Sequence, residues 1–493
     1  RGAALGLAAG ALVLLAALVT KPAGAAVGKR LLVWGGALVL VSVVLVAALE
    51  ARSGGIFQSL KRFTSVSLSD TTVQTRLLSA QTSWEGFLAR PVLGWGPENY
   101  NLVFDKYYNP KLYPAESWFD HAHNIFFDLL IGVGAVGFAA YFFLLGTLGF
   151  RALKGARASP AEYWSRMVLF ALLVSYFVQN IFVFDSLVTY LPFFMLAAYA
   201  SAGFPLGRGE EPKSEESGRK FSNPVPKIAV WLLPLFALGI YWANVRPAMA
   251  AYFTVEALKT EKTESRAAKK YFEKALRISN FGKHEIRGKL ADFASELLSD
   301  ERVTDDALKK EFAAYAIGEM ERSVAEDPLD FRNYLYLGNF LSNNHEELSR
   351  FGIPALEKAD DVLARAEPLA PQKPPLFIQW GKVKSLRGEH EKAEELLKRA
   401  IALNPDPIEA HLRLGFVYRA AGKKEQALAV YRGLLEREHV GAGVYVELAV
   451  GFAGLDARDE AIAAAQKAAQ SDPSLAGEAE RFIGDVKARF QAP

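Results

Sequence analysis

The chain contains no cysteine. Disulfide cross-links, thiolate nucleophiles and cysteine-based zinc sites are therefore excluded, and the redox compartment is left undetermined. An excess of either charge is lacking too: 57 Lys and Arg stand against 54 Asp and Glu, a formal net charge of +3 over 493 residues. No basic field argues for nucleic acid as a partner. No phosphate-binding glycine loop and no Ser-His-Asp signature appears. His121 and His123 stand two apart, which does not place them on one helix face, and the stretch 50–124 holds no Asp-x-Asp-like pair. No metal or cofactor is expected.

What is present is unevenly spread. Hydrophobic residues make up 51% of the chain, crowded into the first half, and charged helical patterns fill the second. Six segments are apolar enough to be read as membrane spans: Ala3–Thr20, Leu31–Leu49, Ile125–Phe150, Met167–Phe184, Leu187–Phe204 and Ile228–Val245. The fifth is short and contains Pro192. The first lacks the charged start and cleavage site of a secretory leader and reads as a membrane helix. Because residue 1 is Arg, the expectation is that an N-terminal part precedes it.

Lys21, Lys29 and Arg30 lie between spans one and two; Arg151, Lys154, Arg157 and Arg166 between three and four; Arg208, Lys213, Arg219, Lys220 and Lys227 between five and six. These loops alternate in the topology, so all three are expected to be cytoplasmic. The predicted organisation is a membrane domain over 1–204 with a large extracytoplasmic loop over 50–124, a cytoplasmic linker over 205–227, a last span over 228–246, and an extracytoplasmic repeat domain over 247–493.

The loop 50–124 is far longer than an ordinary connection, which marks it as functional or disordered. Its aromatic residues, among them Trp84, Trp95, Tyr100, Phe104, Tyr108 and Phe119, argue against disorder. Thr75–Ala89 reads as a helix whose Leu77, Leu78, Trp84, Phe87 and Leu88 form an apolar stripe. Pro91 ends it, and Gly94, Gly96 and Pro97 make a tight turn.

After Pro247 the signal becomes a repeat. Trp380-Gly381, Leu414-Gly415 and Leu448-Ala449 recur at intervals of 34 residues, as do Ala393, Ala427 and Ala461. Gly388 and Gly422 mark turns within the units. A 34-residue period with small residues at helix contacts is the tetratricopeptide signature. Weaker units precede it, one with an insertion near Asn344–Gly352, so that about five to six units and a capping helix over Leu475–Phe490 are expected to stack into a grooved array. The predicted fold class is all-α: a polytopic membrane helix bundle followed by a tetratricopeptide α-solenoid.

His121-Ala122-His123-Asn124 stands directly before the third span. A histidine held at a membrane surface beside Arg76 and Arg90 suits chemistry on a lipid-linked anionic substrate, since guanidinium binds phosphate in bidentate fashion. The bland alternative makes His123 an interfacial polar residue and Asn124 a helix cap. Trp95 either stacks on a sugar or only shapes its turn. Asp120 and Asp128 either orient an imidazole or sit at the helix start for its dipole.

The combination of Arg76 and Trp84 with Arg90-Pro91-Val92-Leu93-Gly94-Trp95-Gly96-Pro97-Glu98-Asn99-Tyr100, His121-Ala122-His123-Asn124 and Gly134-Ala135-Val136-Gly137 resembles the O-antigen ligase and polymerase superfamily over about Val73–Phe204. The resemblance implies a multi-span membrane glycosyltransferase, an undecaprenyl-diphosphate-linked glycan donor, no metal requirement, and an acceptor that is lipid, glycan or protein. By position, His123 matches the family's catalytic histidine and Arg76 its diphosphate-binding arginine, with Arg90, Trp95, His121 and Asn124 as substrate-binding candidates. Two departures stand out: the family has more spans than the six read here, and Gly132 replaces a glutamate often found in the family. The resemblance implies a multi-pass protein of the cytoplasmic membrane, with the repeat groove expected to take a protein or peptide. The competing reading is a membrane scaffold that recruits envelope assembly proteins without catalysis. The long aromatic loop favours the enzyme, because a plain anchor needs only one span.

Overall fold

The structure is a computed structural model that describes residues 2–20, 71–154, 160–201, 227–438 and 440–489. It is all-helical, with no strand among these residues. Two compact units emerge, Arg1–Lys220 and Phe221–Pro493. The predicted span Leu31–Leu49, the loop as far as residue 70 and the linker over 205–226 lie outside the described residues.

In the first unit α1 (Gly2–Thr20), α2 (Thr71–Ala89), α3 (Tyr100–Lys106), α4 (Ile125–Leu153), α5 (Pro160–Asn180) and α6 (Leu187–Ser201) follow in order. Among the described residues two helices are long and apolar enough to cross a membrane, Gly2–Val19 and Ile125–Leu153. The fourth expected span starts earlier than predicted and ends at Asn180, its polar first turns lowering its hydropathy. The fifth is 15 residues long, roughly 22 Å at the helical rise, short of a hydrocarbon core about 30 Å thick.

α1 runs along α5 because Gly2, Gly6 and Gly10 line one face. A methyl on Gly6 would stand 2.5 Å from the Ser175 carbonyl oxygen, and one on Gly10 2.9 Å from that of Ala171. Small residues at four-residue spacing allow this close backbone approach between apolar helices. Tyr163 Oη donates to Ala17 O at 2.8 Å at the far end of the pair.

The expected apolar stripe on α2 is turned the other way. Its buried residues are Thr75, Ser79, Thr82, Ser83 and Gly86, whereas Leu77, Trp84 and Leu88 are 57%, 50% and 59% exposed. The cause is Tyr100: its hydroxyl hydrogen-bonds both Ser79 Oγ and Ser83 Oγ at 2.8 Å. Leu78 and Phe87 are half-buried and pack on a cluster of Tyr100, Val103, Phe104, Tyr108 and Leu112.

α4 breaks at Gly134, where φ is 64° and ψ −170°. The turn after α2 fills the break: Ala135 N donates to Pro91 O at 2.8 Å, Val136 N to Val92 O at 3.3 Å, and Trp95 N to Ile131 O at 2.7 Å. Backbone groups freed in a membrane helix must find such partners. Gly94, at φ 73°, lies so close to the helix that a side chain would meet the Ile131 carbonyl.

In the second unit α7 (Lys227–Ile240) continues without a break through a π-helical turn over Tyr241–Val245 into α8 (Arg246–Lys259). The expected last span thus merges into the first repeat helix. Antiparallel pairs follow: α8 with α9 (Ser265–Ile278), α10 (Lys283–Ser299) with α11 (Asp306–Glu326), and α12 (Phe331–Asn343) with α14 (Ala355–Ala366), the short α13 (His345–Arg350) filling the predicted insertion. α15 (Pro374–Leu386) pairs with α16 (His390–Leu403), α17 (Ile408–Ala420) with α18 (Lys424–Leu435), α19 (Ala442–Ala453) with α20 (Arg458–Ser471), and α21 (Ala476–Arg489) closes the described array.

The periodic small residues sit where partner helices meet. A methyl on Gly381 would stand 2.7 Å from Leu397 Cγ, and one on Gly415 would meet the Tyr431 ring. Ala393, Ala427 and Ala461 are fully buried. Gly388 and Gly422 turn with positive φ, and Asp456 adopts φ 58° at the equivalent point of the next unit, a conformation Asp tolerates better than most side chains.

Candidate active site

The site is assembled at the N-terminal end of α4. Asn124 caps that helix, its Oδ1 accepting from Phe126 N at 2.9 Å and Phe127 N at 3.4 Å. Its Nδ2 donates to Ile181 O at 3.0 Å, which ties the helix start to the turn between α5 and α6. Asn124 thus caps as its sequence position suggests and also makes a long-range contact.

Asp128, in the first turn of α4, faces back toward the motif. Its Oδ1 accepts from Ala122 N at 2.7 Å, and its Oδ2 lies 3.7 Å from His121 Nδ1. Glu98 Oε2 stands 3.7 Å from the other nitrogen, Nε2. The His121 ring stacks on Phe184 with centroids 4.0 Å apart and planes 10° from parallel. The Asp128 carboxylate beside it raises the pKa of His121 above the ordinary imidazole value, burial opposing and Glu98 and Asp120 assisting.

His123 is in the opposite regime. Burial lowers its pKa below the ordinary value, and the positive charge of Arg76 lowers it further. Its ring lies between Phe119, at 5.1 Å between centroids, and Phe184, at 5.3 Å. His123 holds φ 52°, a left-handed conformation costing an L-residue about 1–2 kcal/mol, and strain of this kind gathers at functional sites. Two imidazoles two residues apart are therefore biased toward different protonation states, the arrangement that separates acid from base roles.

Of the sequence candidates, His121, His123 and Asn124 come together, and the charge of Arg76, exposed on α2, reaches His123. Arg90 and Trp95 pair instead with each other, the guanidinium 4.1 Å over the indole. Trp95 Nε1 donates to Gly86 O at 2.9 Å, and Lys106 Nζ lies 5.7 Å from the same ring. Among the described residues no group of His, Asp or Glu side chains converges to hold a metal ion. Sequence reasoning missed Glu98 and Phe184. Neither has a local signal, because Phe184 reaches the imidazoles from beyond α5.

At the other end of α4 lies basic charge. Arg166 Nη1 donates to Arg151 O and Lys154 O, both at 2.7 Å. The imidazoles and this basic cluster thus mark opposite ends of a 29-residue helix.

Residues 1–142 match the family described as O-antigen ligase, and residues 386–442 match the tetratricopeptide repeat family. No curated protein matches the chain. Similar solved structures include two described as tetratricopeptide proteins. A thermophilic tetratricopeptide protein of Thermus thermophilus is 28% identical over 41% of this chain and 98% of its own length, with a TM-score of 0.30. Pseudomonas aeruginosa pilF is 17% identical over 50% of this chain and 100% of its own, with a TM-score of 0.32. The tetratricopeptide protein YrrB, described as having an unusual peptide-binding site, is 21% identical over 43% and 97%, with a TM-score of 0.26. The N-terminal region thus carries an O-antigen ligase-family domain and the C-terminal region tetratricopeptide repeats.

Proposed function

We propose that this chain is a membrane glycosyltransferase that moves a glycan from an undecaprenyl-diphosphate donor to an acceptor hydroxyl outside the cytoplasmic membrane. The observation that carries this reading is the pair of imidazoles in opposite charge regimes, with the charge of Arg76 reaching His123.

In the proposed step the acceptor oxygen bonds to the anomeric carbon of the glycan. The bond from that carbon to the diphosphate oxygen breaks, and its electron pair leaves with the diphosphate. His123 takes the acceptor proton, a task suited to an imidazole kept neutral near pH 7. Arg76 stabilises the charge growing on the leaving diphosphate. Cationic side chains in that role let the transfer proceed without a metal ion, and direct displacement inverts the anomeric configuration. Asn124 fixes the backbone that presents His123. Trp95 and Arg90 form a planar surface that a sugar can stack on, and His121 adds positive charge near the donor.

The separation of the imidazoles from Arg151, Lys154 and Arg166 along α4 supports an extracytoplasmic site in a polytopic bundle. In the same reading the repeat array is extracytoplasmic and presents a protein or peptide partner, and the acceptor is a lipid, a glycan or a protein. The test is glycan transfer by the full-length protein in liposomes with chelator present. A general base contributes about 10²–10⁴-fold, so His123→Asn, which tolerates the left-handed backbone, should lose transfer by that factor. Equal transfer by variant and wild type would remove His123 from the mechanism. Transfer by neither, across several donors and acceptors, would favour the scaffold reading.

A further inference from the structure

The turn between α5 and α6 holds a half-buried polar knot that the proposed reaction does not use. Asp185 Oδ1 and Oδ2 lie 2.7 and 2.8 Å from the Tyr176 hydroxyl. Tyr141 Oη donates to Oδ2 at 3.2 Å, Asn180 Nδ2 to Oδ1 at 2.8 Å and Thr189 Oγ1 to Oδ1 at 3.0 Å. Tyr141 and Tyr176 are themselves hydrogen-bonded at 3.0 Å. One carboxylate thus gathers donors from α4, α5 and α6. A carboxylate among apolar helices is costly unless its oxygens are hydrogen-bonded, and here both are, which ties the turn to three helices.

The residue before Asp185 is Phe184, whose ring lies flat on His121 and against His123. The same turn accepts the Asn124 side chain at Ile181 O. We propose that Asp185 is a positioning residue: by holding the 181–186 turn through Tyr141, Tyr176, Asn180 and Thr189, it keeps Phe184 seated on both imidazoles and so sets the environment of each. This rests on the function proposed above only for its effect on transfer, and not for its effect on the imidazoles.

The sign follows from the contacts. The charged groups facing His123 are Arg76 from α2, Asp128 from α4 and His121; those facing His121 are Asp128, Glu98 and Asp120. Removing the Phe184 ring leaves them in place but admits water to His123, whose pKa is lowered chiefly by burial. Its midpoint should rise. At His121 the lost burial raises the midpoint while freedom of the unstacked ring to leave Asp128 lowers it, so the readout is taken at His123.

The experiment is ring-¹⁵N histidine NMR of the full chain in detergent micelles across pH, with His121→Asn and His123→Asn assigning two of the seven histidines. In Phe184→Ala and Asp185→Ala the His123 midpoint should rise by about 0.5–1 pH unit, the scale of a partial loss of burial. Phe184→Trp should keep the midpoints apart. Tyr141→Phe with Tyr176→Phe removes two donors while leaving Asp185 in place, and should give a smaller shift of the same sign. This pair also serves if Asp185→Ala does not fold. In the transfer assay the acidic limb should move to higher pH by the same amount. A loss of thermal stability with both midpoints unchanged in Asp185→Ala, or in the paired Tyr variant if that one alone folds, would make the knot merely structural and overturn the proposal. A raised His123 midpoint without any His123-dependent transfer would sustain the positioning role and overturn the proposed reaction instead.

Discussion

Adding one methyl group at Gly134 tests the join between the outer loop and the broken helix that carries the site. The backbone there, φ 64° and ψ −170°, belongs to a region only glycine occupies without penalty, so Gly134→Ala costs roughly 1–3 kcal/mol in strain alone. The new Cβ would also lie against the Val92 carbonyl, with Gly94 N at 2.7 Å. Relief requires the 91–95 turn to withdraw, which releases three backbone hydrogen bonds, from Ala135, Val136 and Trp95. Each is worth about 0.5–1.5 kcal/mol net. Strain and lost bonds are alternatives in part, since withdrawal relieves the strain, so a total of about 3 kcal/mol is expected. Gly132→Ala is the control, because its Cβ would find Pro97 Cα at 3.8 Å and Gly96 O at 3.9 Å, ordinary contacts. There the helix propensity of Ala should leave stability unchanged or raised by up to about 1 kcal/mol. Unfolding of both variants in detergent, followed by circular dichroism, reads the difference. Transfer assays should show Gly134→Ala impaired and Gly132→Ala near wild type. Coincident melting curves for the two variants would refute the reasoning that the loop caps the helix break.

Arg76→Ala removes a cation that depresses the His123 pKa, so the midpoint rises. Because the base works only when neutral, transfer should fall more steeply below pH 7 than above it. A uniform loss across a pH series would restrict Arg76 to substrate contact. In the repeat array, Gly415→Ala drives a methyl into the Tyr431 ring, an overpacking that costs about 1–3 kcal/mol. Hydrogen exchange should show the loss confined to α17, α18 and α19 while the earlier pairs keep their protection. Global loss of protection would show the array to be one cooperative block rather than a chain of neighbours.

Much of the fold was legible before any coordinates. The 34-residue interval placed Gly381, Gly415 and Ala449 at helix contacts, because each repeat meets only its neighbours and one local pattern serves them all. Asn124 before an apolar run announced the start of α4. The glycines of α1 carried a packing signal that a hydropathy reading passes over, since it weighs polarity and ignores size. The stripe on α2 misled for a related reason. Leu77, Trp84 and Leu88 have the spacing of a core face, but which face turns inward was decided by the Tyr100 hydroxyl between Ser79 and Ser83.

The sequence by itself determined the helical class, the repeat, and the placing of two histidines and a cap at the end of an apolar helix. Periodicity, chain length and capping chemistry are local, and local pattern encodes them. Only the tertiary structure decided that His121 lies between Asp128 and Glu98 while His123 is half-buried within reach of the charge of Arg76. It alone brought Phe184 onto both rings and the 91–95 turn into the break at Gly134. An imidazole's charge state depends on its solvation and on the charges around it, and here those come from segments far apart along the chain.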